Sequence, residues 1–442
     1  MSVPTVIDAI VVGGGIAGLT ATQALRERGR DFRLIERCPS LGGLTRTVEI
    51  GEFCFDYTGH FLHLSRYNTP ADIPYAGLNN DDWKTVERRS CCFIGGRFVT
   101  APVQYKLAEV SEPLRTECIQ SYEHRPAMPT QNATFRDYVV SGFGDRLADL
   151  FLIPQNEKTM ATSLDRLSSA AVRRFFPVPD DAKIRKGMES GSVTDMGYNA
   201  RFWYPKRGGI GSLVDGLARG IQDRVIHADV CKLNLKSRTL TTTVGETYRW
   251  NTLFSSMPLN FLCSITDDEA LSELAPELTH SSTVSFNIGL RTQLKPEFND
   301  IHWIYVPDRE IPFYRVGFYS NISEGTCTPG CSAIYVEVGM TPEEAASADV
   351  VGRIQPEVLS WLETLGWIDR KDVVCTATHT IRCAYVHHTP ARDRIVSTAL
   401  ARLKEYDVHP IGRYGLWDYT SMEDSIDSAR SAVTEEAAWI AQ

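Results

Sequence analysis

The glycines of Gly13-Gly14-Gly15-Ile16-Ala17-Gly18 are spaced to bring a peptide backbone close to a pyrophosphate. Gly13 permits a tight turn, Gly15 lets phosphate approach the main chain, and Gly18 lets the next segment lie against its neighbours. Glu36 follows at the distance where an acid binds a ribose hydroxyl pair. Such residues need rigid supports, and the flanking sequence supplies them. Residues 7–12 read as a buried strand, 19–28 as a helix, and 32–36 as a second strand ending in the acid. The helix start offers N–H groups and a positive dipole end to the phosphate. A lone G-x-G-x-x-G is a weak signal, but a merely structural glycine turn has no use for the distant acid.

The segment Leu41-Gly42-Gly43-Leu44-Thr45-Arg46 resembles the second glycine pair of the amine-oxidase-like flavoproteins. That likeness implies FAD rather than NAD, with Gly43, Leu44 and Arg46 along the pyrophosphate and ribityl chain. The alternative for Arg46 is a solvated surface cation. Residues 225–257 change to strand patterns with a hairpin near Gly245, which reads as the chain returning to the nucleotide half and bringing the backbone of Val230 near the adenine. Residues 411–415 end a strand, 416–422 turn, and a helix runs over 423–441. The start of that helix, at Met422, is placed to stabilise negative charge on a reduced flavin.

Between these segments, residues 105–175 read as largely helical and 184–196 as a loop or lid. Alternating strands are expected at 284–290, 302–306, 315–319 and 333–338, and an amphipathic helix over 350–366. The expected fold is α/β. A Rossmann-type FAD-binding domain is built from 1–78, 199–262 and 393–442, with an interleaved helical lobe over 79–198 and an antiparallel-sheet substrate lobe over 263–392. A length of 442 residues suits such a multi-lobed chain. The net charge of −9 and the lack of a basic stretch argue against nucleic acid as a partner. No apolar run reaches membrane-spanning length and no secretory signal pattern opens the chain, so the expected location is the cytoplasm. An oligomeric state is left open. The 11 cysteines are scattered without zinc spacing and read as reduced thiols, with a clip or a redox pair the alternative for Cys327 and Cys331. No metal site is expected.

Further motifs run through the whole chain. They include Phe55-Asp56-Tyr57-Thr58-Gly59-His60, Trp303-Ile304-Tyr305-Val306-Pro307, Pro312-Phe313-Tyr314-Arg315, Ser320-Asn321 and Gly412-Arg413-x-Gly415-x-Trp417-x-Tyr419. Together they resemble the UDP-galactopyranose mutases, most closely the eukaryotic branch. The resemblance implies interconversion of six- and five-membered sugar rings on a nucleotide-diphosphate sugar, through N5 of a reduced FAD, with NAD(P)H as external reductant only. It implies that Arg315 clamps the diphosphate, that Tyr305 and Tyr419 donate to it, and that Gly59 and His60 lie beside the flavin. Arg413 is implied near the flavin, and Asn156, Asn199, Asn321 and Gln104 as substrate contacts. A second flap arginine is expected where Phe175 stands, next to Arg174.

The departures are specific. Ala101, Ile322 and His387 replace pocket tyrosines, and Val103 and Met160 replace the aromatics that hold uracil. A base slot without its stacking ring loses on the order of 1–3 kcal/mol, which points to a substrate other than UDP-galactose. The alternative is an FAD-dependent oxidase or dehydrogenase of a small-molecule pathway acting on a sugar or amine, with His387 and His388 as acid–base groups. A flavoprotein with a binding role only is a third possibility.

Overall fold

The structure is a computed structural model describing residues 4–129, 133–169, 176, 179–190 and 200–440. Its first sheet grows around the strand Thr5–Val12, whose last four residues are all buried. A strand covered on both faces by helices reads as a continuous apolar run rather than an alternation. This strand pairs in parallel with Phe32–Glu36 on one side and Thr247–Ser255 on the other. Helix Ile16–Glu27 makes the crossover of the first βαβ unit. Val225–His227 extends the sheet beyond Phe32–Glu36, and Val408–Pro410 joins Thr247–Ser255. Val230–Asn234 and Thr239–Thr242 add an antiparallel edge, and the turn at Gly245, φ +86°, joins Thr239–Thr242 to Thr247–Ser255. The chain therefore leaves and re-enters one nucleotide-binding half.

The second sheet has seven strands in the order Val373–Val386, His280–Leu290, Ser332–Met340, Arg315–Phe318, Trp303–Tyr305, Ser90–Ile94, Arg97–Thr100. The four strands expected between 280 and 340 are present. In His280–Leu290 the apolar alternation Val284, Phe286, Ile288, Leu290 packs into one core cluster together with helix Ala348–Thr364. The intervening polar face is equally buried, because it is the joint to the nucleotide half: Asn287 Nδ2 donates to the Asp56 carbonyl at 2.8 Å, and a side chain at Gly289 would meet the Phe53 ring.

Three features differ from the sequence expectation. Residues 181–189 form a helix rather than a loop or lid, capped by the Asp180 side chain and seated with Gly187 against the Tyr105 backbone, too close for any Cβ. The remainder of that segment, 191–199, lies outside the described residues. The 79–198 stretch contributes the hairpin Ser90–Ile94/Arg97–Thr100 to the second sheet, turning through Gly95 and Gly96, both at positive φ. The edge strand Val373–Val386 was not expected at all. Among the described residues no helix is long and apolar enough to cross a membrane.

Candidate functional site

The glycine turn has the geometry its spacing predicts. Gly13 sits at φ +96°. A Cβ on Gly18 would lie 1.8 Å from the Gly13 carbonyl oxygen, so close packing against the turn requires glycine. Gly15 is different: its backbone is extended (φ −79°, ψ −178°), and a Cβ there would find only the Gly43 Cα, at 3.8 Å. Nothing in the protein demands glycine at that position, which is what a close-approaching ligand would explain. The helix beginning at Ile16 has no side-chain cap on its first N–H groups. The second glycine pair lies directly opposite, with Gly42 N donating to the Gly14 carbonyl at 2.7 Å. These residues fit a pyrophosphate-bearing dinucleotide.

Glu36 ends its strand as expected, but its carboxylate already accepts from Gly14 N (2.6 Å) and Cys38 N (2.8 Å). Each oxygen keeps a second lone pair for a ribose hydroxyl. The strand that begins at Val230 starts two residues after Ala228, whose N–H donates to the Glu36 carbonyl. Gly43 and Leu44 form a short turn, and Arg46 Nε closes it by donating to the Gly43 carbonyl at 2.8 Å. Arg46 is not a solvated cation. Its guanidinium lies 4.6 Å from the centre of the Tyr57 ring, which stacks in turn on His379 at 4.1 Å.

The Gly59–His60 turn, where His60 N donates to the Thr58 carbonyl at 2.7 Å, follows the strand Phe53–Asp56 that ends in a buried acid. The Asp56 carboxylate accepts from Thr47 Oγ1, Tyr204 Oη and Ile210 N, while burial pushes its pKa up to about 7. Gly59 has no room for a side chain, because the Tyr335 hydroxyl would lie 2.2 Å from its Cβ. His60 Nδ1 and Tyr335 Oη are both buried without a partner among the described residues. Burial, then the charges of Arg413 and Arg315, pull His60 down to about 3, so its imidazole is neutral.

Across the cleft, Arg315 forms a two-pronged pair with the buried Glu337, through Nε and through Nη2 at 2.7 Å to Oε1. The register of the sheet explains this pairing, since Arg315 lies opposite Glu337 on one side and Tyr305 on the other. Arg315 is thus part of a structural ion pair, and its side chain, 17% exposed, keeps Nη1 uncommitted among the described contacts. Arg413 donates from Nη1 to the Thr420 carbonyl at 2.9 Å and lies 4.3 Å from the centre of the Tyr419 ring. The helix Met422–Ile440 starts beside it, but its first turn is not a bare positive pole. Ser421 and Asp424 cap it reciprocally, and Glu423 accepts from the backbone N–H groups of Ser65, Arg66 and Tyr67. Met422 is half-buried against the nucleotide-half core.

Lys158 was not legible as a site residue. Its ammonium donates to the carbonyls of Val306, Asp308 and Phe313 at 2.6–2.8 Å, fastening the loop between Tyr305 and Arg315. Lys158→Met leaves these three carbonyls without that donor and is expected to cost about 2–4 kcal/mol. A lower urea midpoint at constant m-value, with faster proteolysis inside 306–314, is the expected signature.

Other expected site residues are not gathered in the cleft. His387 is corrected from acid–base group to structural residue: Nε2 donates to the Met160 carbonyl (2.8 Å) and Nδ1 accepts from Thr279 Oγ1 (3.0 Å), so both nitrogens are spent. Asn321 is likewise committed, donating to the Phe298 and Ile301 carbonyls. Asn156 Nδ2 donates back along its own helix to the Leu152 carbonyl, and Gln104 is buried in a short turn. Arg174, Phe175 and Asn199 lie outside the described residues. Ala101, Val103 and Ile322 are buried. All the cysteines are free, with Cys327 Sγ donating to the Cys331 carbonyl instead of forming a clip.

Burial also sets an acid limit. His60 is lowered to about 3 and His63, His302, His379 and His387 to about 4, against 6.5 when unfolded. Between these values the unfolded chain takes protons that the folded one refuses, so stability falls as pH falls from 6.5 toward 4. Each group contributes up to about 1.4 kcal/mol per pH unit. Asp56, raised to about 7, opposes this by one proton. The denaturation midpoint is expected to drop steeply below pH 6.5; a flat profile to pH 4.5 would refute the assignment.

Known proteins share the fold. The family model for the NAD(P)-binding Rossmann-like domain matches residues 11–72. The structure of reduced UDP-galactopyranose mutase is similar over 100% of this chain and 95% of its own, at 22% identity and a TM-score of 0.88. Cyclohexylamine oxidase from Brevibacterium oxydans (14% identity, 99% and 100% coverage, TM-score 0.70) is also similar. So is the CLA-producing fatty acid isomerase from P. acnes (14%, 97% and 98%, 0.63). The fold is therefore that of UDP-galactopyranose mutase, shared with an oxidase and another isomerase.

Proposed function

We propose that the protein binds FAD along the two glycine turns and acts as a mutase, or a related redox-neutral catalyst, on a nucleotide-diphosphate sugar other than UDP-galactose. What supports this reading is that the charges of Arg413 and Arg315 both reach the buried His60, with Tyr305 in register beside Arg315 and Tyr419 against Arg413. Arg413, which the resemblance puts near the flavin, serves in this reading as a second cation beside the substrate. Two cations with tyrosine hydroxyls suit a diphosphate, whose oxygens accept from planar and single donors alike. When bound, reduced flavin supplies a nucleophilic nitrogen toward the anomeric carbon. The protein's part is to orient and to hold charge. Gly13, Gly15, Gly18 and Gly43 cradle the cofactor pyrophosphate, and Glu36 takes the ribose. Neutral His60 presents an imidazole that neither repels nor neutralises an adjacent anion. Arg315, held rigid by Glu337, offers its remaining edge to the substrate diphosphate, so little side-chain freedom is lost on binding. With His387 spent internally, the acid–base role in a C–H oxidation would fall to His388, whose Nε2 lies 3.4 Å from Asp418 Oδ1.

The test is a count of reducing equivalents. Protein reduced once with NAD(P)H or dithionite under anaerobic conditions is expected to turn over many equivalents of a nucleotide-diphosphate sugar without further reductant. One substrate oxidised per flavin, with peroxide formed on admitting oxygen, would replace this reading with the oxidase.

A further inference from the structure

The edge strand Val373–Val386 keeps one register from Cys375 to Ile381, which pairs with Thr283, and then slips. The next aligned pair is Ser281 with Tyr385, so four residues of the edge strand span two of its partner. Such a bulge bends the strand and re-aims the side chain that follows it. It is fastened on both sides. The Arg382 carbonyl accepts from Ser282 Oγ at 2.6 Å, and the Ala384 carbonyl accepts from Arg413 Nη2 at 3.4 Å and from Tyr414 Oη at 3.3 Å. The side chain delivered next is Tyr385. Its ring packs at 46° to Tyr419 with centres 5.6 Å apart, and the Arg413 guanidinium lies 5.7 Å from its centre. Burial first, then Tyr419 and Glu337, raise its hydroxyl above the ordinary tyrosine range against the opposing charges of Arg315 and Arg413, so it stays protonated as a donor. The ring is half-buried, yet among the described residues its hydroxyl has no hydrogen-bond partner.

From this arrangement we propose that Tyr385 is a substrate-contacting residue whose hydroxyl donates to the diphosphate held between Arg315 and Arg413. The inference rests on the mutase-type reading of the cleft and adds a contact to it. It also suggests how the site keeps its complement of hydroxyl donors. His387, two residues further along the chain, cannot serve, because its nitrogens are spent on Met160 and Thr279. The bulge turns the preceding tyrosine toward the anion instead. The displaced donor approaches from the edge strand, so it selects for a diphosphate placed nearer that strand.

The experiment compares wild type, Tyr385→Phe and, as a control ring buried elsewhere, Tyr122→Phe. Inorganic pyrophosphate and UDP are titrated separately and followed by intrinsic fluorescence or calorimetry. Tyr385→Phe keeps the ring packing against Tyr419 and removes only the hydroxyl. It is expected to weaken both probes about tenfold with an unchanged melting temperature. The control is expected to bind both as wild type does. Equal affinity of wild type and Tyr385→Phe for both probes would overturn the role of Tyr385 while leaving the diphosphate site standing. Failure of the wild type to bind either probe would overturn the diphosphate reading and this inference with it. Weakening of UDP alone would place the hydroxyl on the nucleoside and also overturn the proposal.

Discussion

Gly15→Val is expected to give a folded protein that takes up no FAD. The backbone there is extended, so a β-branched residue is sterically allowed, and its Cβ would meet nothing closer than the Gly43 Cα at 3.8 Å. Valine is a poor residue to precede a helix, which costs about 1 kcal/mol. The methyl groups then fill the space where pyrophosphate would approach the main chain, and affinity should drop by at least roughly 100-fold, about 2.7 kcal/mol. Gly18→Ala provides the contrast. Its Cβ would fall 1.8 Å from the Gly13 carbonyl oxygen, so this variant should lose stability as well as cofactor. Melting curves beside FAD titrations separate the two, and wild-type FAD affinity in Gly15→Val would remove the cradle from consideration.

The second large effect concerns Arg315. Arg315→Met leaves the Glu337 side chain, 1% exposed, buried without its cation, a loss of about 3–5 kcal/mol. Replacing both partners, Arg315→Met with Glu337→Met, removes the stranded charge and should recover most of that stability. Both variants should bind UDP roughly 100-fold more weakly than wild type, because the edge that faces the cleft is gone in each. Stability read from urea midpoints and affinity from titration therefore move independently. A double variant that binds UDP normally would make Arg315 a structural residue only.

What the sequence revealed and what it hid follow from the range of the forces involved. The glycine turns were legible because close backbone approach is a local requirement, fixed by neighbours within a few residues. The strands from 280 to 340 were legible because their apolar faces alternate. Glu337 carries a readable sign, a carboxylate inside the apolar run Ile334-Tyr335-Val336-Glu337-Val338, which in a buried strand demands a cation. The Gly95-Gly96 turn likewise marked a hairpin. The bulge before Tyr385 left no such sign, since it exists only in the register between two strands a hundred residues apart. His387 and Asn321 show the opposite error. Their motif positions suggested the pocket, but carbonyl partners far away in sequence satisfy them first.

The most direct test of the account is uptake of FAD by the purified wild-type chain. Titration of cofactor-stripped protein should saturate at one FAD per chain, with a structured flavin spectrum and no displacement by NAD⁺ at equal concentration. A protein that stays colourless under FAD, or prefers NAD⁺, would contradict the central claim.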